Sequence, residues 1–110
     1  MNDLTKKRCA PCEGGTSPLS RGKSEVYLEQ LSGWQLIEQS DGIERTFEFE
    51  NFHQTMAFVN AVAWIAHTQD HHPELAVSYR QCRVHYTTHA INGLSENDFI
   101  CAAHIEALLT

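Results

Sequence analysis

FHQTMAFVNAVAWIAHTQDHHPELAVSYRQCRVHYTT, Phe52 to Thr88, changes its hydrophobic period partway along. Phe52, Met56, Val59, Val62 or Ala63, and Ala66 recur at helical spacing; Phe58, Trp64 and Ile65 widen the apolar arc, and the alanines favour helix. A helix so broadly apolar predicts cover on more than one side, from a sheet and from a second subunit. Pro73 cannot continue it and biases His72 toward extended geometry, so the helix is expected to stop around His71. Past the proline, LAVSY (Leu75 to Tyr79) and CRVHYTT (Cys82 to Thr88) alternate with period two, Leu75, Val77 and Tyr79 facing one way and Cys82, Val84 and Tyr86 doing likewise. Only Arg80-Gln81 stands between them, which predicts a tight hairpin.

The flanking segments extend the pattern in both directions. Upstream, WQLIEQS (Trp34 to Ser40) and IERTFEFE (Ile43 to Glu50) flank Asp41-Gly42, a strong two-residue hairpin signal, with Phe47 and Phe49 on one face and Thr46, Glu48 and Glu50 on the other. Before that, SEVYLEQL (Ser24 to Leu31) places Val26, Tyr27, Leu28 and Leu31 on one helical stripe that ends at Ser32-Gly33. Downstream, Ser95 with Asp98 has the form of a capping box, opening a last helix whose apolar side is Phe99, Ala102, Ala103, Ile105 and Leu109. The expected fold is therefore α+β, a four-stranded antiparallel sheet with three helices on one face in the order α-β-β-α-β-β-α. Residues 1–22, rich in Gly, Pro, Ser and Lys, read as an irregular arm wrapping or leaving the domain, and 23–110 as the domain.

At 110 residues and 42% hydrophobic content, one modest core is affordable. The formal charge of -6, with Lys6, Lys7, Arg8 and Arg21 confined to the arm's side of the chain, argues against a phosphate-neutralising surface, so no direct nucleic-acid contact is expected. No stretch has the length of apolar sequence that a spanning helix needs, and the N-terminus has no signal-peptide core, so the expectation is no membrane and a cytoplasmic protein. In that compartment Cys9, Cys12, Cys82 and Cys101 are expected as thiols.

The chemistry lies in the histidines. Imidazole exchanges protons near neutral pH, so HTQDHHP (His67 to Pro73), His89 in TTHAING and Asp98 in GLSENDF suggest acid/base work or metal binding. Each residue alone has an ordinary explanation: His71 and His72 cap a helix C-terminus, Asp98 belongs to a capping box, and His89 ends a strand. Together they stand at three segment ends that the expected fold brings to one cleft. His53, His85 and His104 fall outside this pattern.

An ionisable residue four before a His-His-Pro, an aromatic at Tyr79, His89 ten residues later, Asp98 nine beyond, and the run through THAINGLSENDF to AAHIEALL resemble the pterin-4a-carbinolamine dehydratase family. That resemblance, covering roughly Ser20 to the C-terminus, implies dehydration of a 4a-hydroxytetrahydropterin to the quinonoid dihydropterin, the recycling step that serves aromatic amino acid hydroxylases. It implies no metal and no organic cofactor. By the same resemblance His71 and His89 form the acid/base pair, His72 holds substrate and contributes to protonation, and Asp98 is the supporting carboxylate. Asp70, His71, His72, Pro73, Thr87, Thr88 and His89 are the implied pterin contacts, with Pro73 making His71 and His72 diverge. The family's glutamate four before His71 is here His67, which removes a carboxylate's support.

Three other readings accompany this one. His67 and His71 at i, i+4 with a third histidine suggest zinc, but Thr68 stands where a metalloprotease helix carries glutamate. The Cys9-Ala-Pro-Cys12 pair is half a zinc site at most, and similar pairs occur in the arm of family members. Some relatives also act as dimerisation partners, or coactivators, of transcription regulators, and the apolar arc of Phe52 to Ala66 suits a homodimer or homotetramer.

Overall fold

Alternation in the strands decides which side of the sheet is dry. Ile43, Phe47, Cys82, Val84 and Tyr86 are all buried, while Thr46, Glu48, Gln81 and Arg83 between them are exposed. The computed structural model describes residues 3–10, 17–37 and 41–109. Cys12 and the end of the first expected strand, 38–40, lie outside them. Strands β1 (Gln35–Leu36), β2 (Ile43–Glu48), β3 (Glu74–Val77) and β4 (Gln81–Tyr86) form one antiparallel sheet in the order β1-β2-β4-β3. Helices α1 (Arg21–Leu28), α2 (Phe52–Gln69) and α3 (Glu96–Ala107) complete the expected α+β order, and their buried residues share one core with the sheet's apolar side.

Several local expectations need correction. Helix α1 starts three residues earlier than Ser24, because the Ser20 hydroxyl accepts from the Lys23 N–H and caps it. The stripe then runs through buried Ser24 and half-buried Tyr27, Leu28 and Leu31, leaving Val26 61% exposed. The first hairpin is wider than a two-residue Asp41-Gly42 turn, which would set Ser40 opposite Ile43; instead Leu36 pairs with Ile43 and Ile37 N–H donates to the Gly42 carbonyl. In the second hairpin Val77 pairs with Cys82 and Ser78 N–H bonds Gln81, so the turn is Tyr79-Arg80 rather than Arg80-Gln81. Tyr79 thereby leaves the sheet, and Val77, on an edge strand, stays open.

Helix α2 buries Thr55, Phe58, Val62 and Ile65; of the expected Phe52, Met56, Val59, Val62 or Ala63, and Ala66, Val62 is inside, whereas Met56, Val59 and Ala66, on the face one residue ahead, are half-buried. Both faces are apolar, so periodicity alone does not choose; aromatic packing does, with Phe58 set against Phe47 at 4.6 Å and Phe49 at 5.1 Å between centroids. Phe52 and Trp64 remain outside. Helix α3 is buried from Asn97 to Ala103 with Ile105, while Leu109, expected inside, is half exposed beyond its end. Its wide burial follows from neighbours on several sides: α2, α1 through the Tyr27–Phe99 ring stack at 5.1 Å, and the N-terminal segment, where Leu4 on a 3-10 turn (Asp3–Lys6) is 1% exposed.

Candidate active site

The site begins where α2 ends. Asp70 takes the left-handed conformation at φ 52°, which aspartate tolerates better than most residues, and the His71 N–H then closes onto the Ala66 carbonyl at 3.1 Å. This turn swings His71 off the helix. His67, still on the helix, stays exposed beside Trp64 (5.6 Å between rings), so the two histidines do not form the i, i+4 pair that a zinc reading requires. Among the described residues no group of three potential ligands is placed to hold a metal ion.

From the other side, β4 runs out of the sheet at Tyr86 into Thr87 and Thr88. Thr88 and Gly93 then bridge each other (Thr88 N–H to Gly93 carbonyl, 2.9 Å) around a short 3-10 turn, His89–Ile91, which Asn92 closes at φ 54°. Gly93 permits the close approach of Pro18, whose Cβ lies 2.6 Å from where a side chain would start. The loop presents His89 outward, exposed.

His71 is held on two sides. Its ring stacks on buried Tyr86 (5.5 Å, 11°), and its Nε2 lies 2.6 Å from Asp98 Oδ1. Asp98 is fully buried; its second oxygen accepts from the Thr88 hydroxyl at 2.8 Å and from the Ser95 N–H at 3.0 Å, while the Thr88 and Ser95 hydroxyls meet at 2.7 Å. Asp98 is thus both a helix cap and the partner of an imidazole, one oxygen for each task. Burial disfavours a charged His71, but the Asp98 hydrogen bond and charge outweigh it and hold the imidazole's pKa above the ordinary value.

The two ends face one cavity of about 490 Å³, lined by Asp70, His71, His72, Thr87, Thr88 and His89, and also by Cys9, Ala10, Thr68, Gln69, Ala90 and Asn97. That is the size range of small-molecule pockets. Neither Lys nor Arg lines it among the described residues, so it suits a neutral polar molecule rather than a phosphate or carboxylate. Pro73 is half-buried behind the rim and not a lining residue. Tyr79 lies apart, 63% exposed in its turn and stacked on Phe52 at 6.0 Å.

Sequence reasoning missed one wall of this cavity. Cys9 N–H donates to Gln69 Oε1 (2.8 Å), and Ala10 exchanges two hydrogen bonds with the Asn97 side chain (3.0 and 2.6 Å), so part of the arm is docked against α2 and α3. Leu4, an isolated apolar residue in a polar stretch, was the only available signal of an anchor there. Tyr86 and Ser95 read in sequence only as an inward strand residue and a cap; their contacts with His71 and Thr88 come from the fold.

The family profile described as Pterin 4 alpha carbinolamine dehydratase matches residues 17–108. A protein of Nitrosomonas eutropha named "Putative pterin-4-alpha-carbinolamine dehydratase" is 60% identical over 108 residues, covering 97% of this chain and 94% of that one. One of the same name from Nitrosospira multiformis is 55% identical over 108 residues, covering 98% and 94%. Among solved structures, a transcriptional coactivator/pterin dehydratase from Brucella melitensis superposes with a TM-score of 0.81 at 31% identity, covering 86% of this chain and all of that one. The chain belongs to the pterin-4a-carbinolamine dehydratase family.

Proposed function

We propose that the chain dehydrates a 4a-hydroxytetrahydropterin to the quinonoid dihydropterin by proton transfer between histidines. The observation that carries this reading is the His71 Nε2 to Asp98 Oδ1 contact of 2.6 Å on the wall of a cavity shared with His72 and His89. Loss of the 4a-hydroxyl as water needs an acid at that oxygen and a base at N5–H. His71, whose proton is favoured by Asp98, supplies the proton to the leaving hydroxyl. His89 takes the N5 proton, and His72 holds the pterin and assists protonation. Asp70, Thr87 and Thr88 contact the neutral bicyclic ring, and Pro73 sets the direction in which the chain leaves. The C4a–O bond breaks as the hydroxyl gains a proton and leaves as water, the N5 electron pair freed by deprotonation forms the C4a=N5 bond, and no electron acceptor is needed, so activity is expected to survive exhaustive chelation.

The test is rapid mixing with freshly generated 4a-hydroxytetrahydropterin. Decay well above the spontaneous rate supports the reading, and decay at the spontaneous rate overturns it. A non-reactive dihydropterin should also shift the NMR resonances of His71, His72 and His89 on saturable binding.

A second reading concerns association. Phe52 and Trp64 are 44% and 66% exposed on α2, which supports a homodimer or homotetramer formed through that face. The Brucella melitensis relative is described as a transcriptional coactivator/pterin dehydratase, which extends the reading to regulator partners here. Trp64→Glu should lower the mass seen by light scattering if α2 is that interface. Recycling of the pterin for an aromatic amino acid hydroxylase, in the cytoplasm, completes the proposal.

A further inference from the structure

Two thiols meet behind the cavity wall. Cys9 Sγ lies 3.5 Å from Cys101 Sγ, although the residues are 92 positions apart. Both are free thiols. Their settings differ: Cys9 is half-buried and lines the cavity, whereas Cys101 is fully buried on α3, one turn after Asp98. The arm that carries Cys9 is already docked. Besides the bonds of Cys9 and Ala10, Lys7 pairs with Glu96 at 2.7 Å and its carbonyl accepts from the His104 ring at 3.0 Å. The chain ordering that a cross-link needs has therefore been met by other contacts. Closing 3.5 Å to the roughly 2.05 Å of a disulfide takes a shift of about 1.5 Å.

We propose that Cys9 is a hydroperoxide-reactive thiol and Cys101 its resolving partner, forming a reversible intramolecular disulfide that fastens the arm to α3 as a wall of the cavity. The Cys9 thiolate attacks one peroxide oxygen; the O–O bond breaks, Cys9 becomes the sulfenic acid, and the other oxygen departs with a proton as water or alcohol. The Cys101 sulfur then attacks the Cys9 sulfur. The S–S bond forms, the S–O bond breaks, and hydroxide leaves with the Cys101 proton as water. Two thiols lose two electrons in all, and the peroxide gains them.

The order of attack follows from the surroundings. Cys9 lines the cavity while Cys101 is fully buried, so a peroxide meets Cys9 first; the contact with Cys101, in which either sulfur can donate, holds the Cys9 thiol below its ordinary pKa against the opposing effect of burial, and His71 adds to the lowering. The same contact and burial push the Cys101 thiol up, which fits a resolving partner and not a first nucleophile. This chemistry is independent of the pterin reading, since it uses neither histidine as acid nor as base.

The experiment treats the fully reduced full-length protein with a small molar excess of hydrogen peroxide, quenches with an alkylating reagent, and maps peptides without reduction. The expected product has two of the four thiols left, a mass lower by two hydrogen atoms, and the Cys9 and Cys101 peptides joined until dithiothreitol is added. Before peroxide, Cys9 should alkylate roughly tenfold faster than Cys101 or Cys82. Cys12→Ser should keep the link, and Cys101→Ser should leave a Cys9 sulfenic acid that dimedone captures. A Cys9–Cys12 link, a link between two chains, or a Cys9 thiol untouched by peroxide in the native protein would overturn the proposal.

Discussion

The two ends of the cavity hold the same kind of side chain in opposite settings. At the α2 end His71 is stacked on Tyr86, bonded to a buried carboxylate and only 13% exposed at its side chain. At the β4 end His89 stands exposed on a short turn, and His72 beside His71 is exposed as well. A fixed imidazole whose proton is favoured by a buried anion suits one role in a proton-transfer pair, and an exposed one that can follow its ligand suits the other. The contrast puts one residue type in two electrostatic settings, which is what the proposed acid/base pair requires.

Removing the ring at the wired end should have the largest effect. His71→Ala is expected to slow dehydration by about 10²–10⁴-fold with the circular-dichroism spectrum unchanged, and His89→Ala to cost a similar factor with no loss of stability. Stopped-flow rates on both variants test the pairing; full activity in either one breaks it. Asp98→Asn should come next, because it keeps the side chain's shape but removes the charge and turns one acceptor oxygen into a donor. We expect a loss of about 1–3 kcal/mol in urea melts and a His71 NMR titration displaced to lower pH. An unmoved His71 titration in that variant would separate the carboxylate from the imidazole's behaviour.

The same pair makes stability depend on pH with a definite sign. His71 has its folded-state pKa raised, so its contribution is fully present below the unfolded value of about 6.5 and is lost as pH rises through the folded value. Melts across that window should show a fall in stability that His71→Phe abolishes. A smaller effect is expected from Thr88→Val, which deprives Asp98 of one donor: about 1 kcal/mol and a severalfold loss in rate, read by melts and stopped-flow together. His67→Glu should be the mildest. His67 is exposed and does not line the cavity, so restoring a carboxylate there is expected to change the rate by less than about threefold.

Much of this arrangement was legible residue by residue. The proline after His71 and His72 located the helix end, the alternation in Ile43 to Glu50 and Cys82 to Thr88 identified the dry face of the sheet, and the Ser95 and Asp98 spacing placed the last cap. What was illegible had physical causes. Helix α2 carries two adjacent apolar faces, and its local sequence holds no preference between them. Turn residues in both hairpins were assigned from dipeptides, whereas pairing across the strands set the register two or more residues away. Asp98 had been open to a local and a functional reading as alternatives; a carboxylate has two oxygens, and the fold uses one for each.

By itself the sequence determined the element types and order, the buried sides of β2 and β4, the positions at which polar segment ends interrupt them, and the family. These follow from interactions among near neighbours in the chain: periodicity, caps, and the backbone limits of proline. Only the tertiary structure decided which α2 face is dry, that Tyr86 supports His71, and that Cys9 and Ala10 close a wall beside Asn97. Each of those depends on contacts between residues far apart in sequence, where packing and hydrogen-bond satisfaction across elements outweigh local preference.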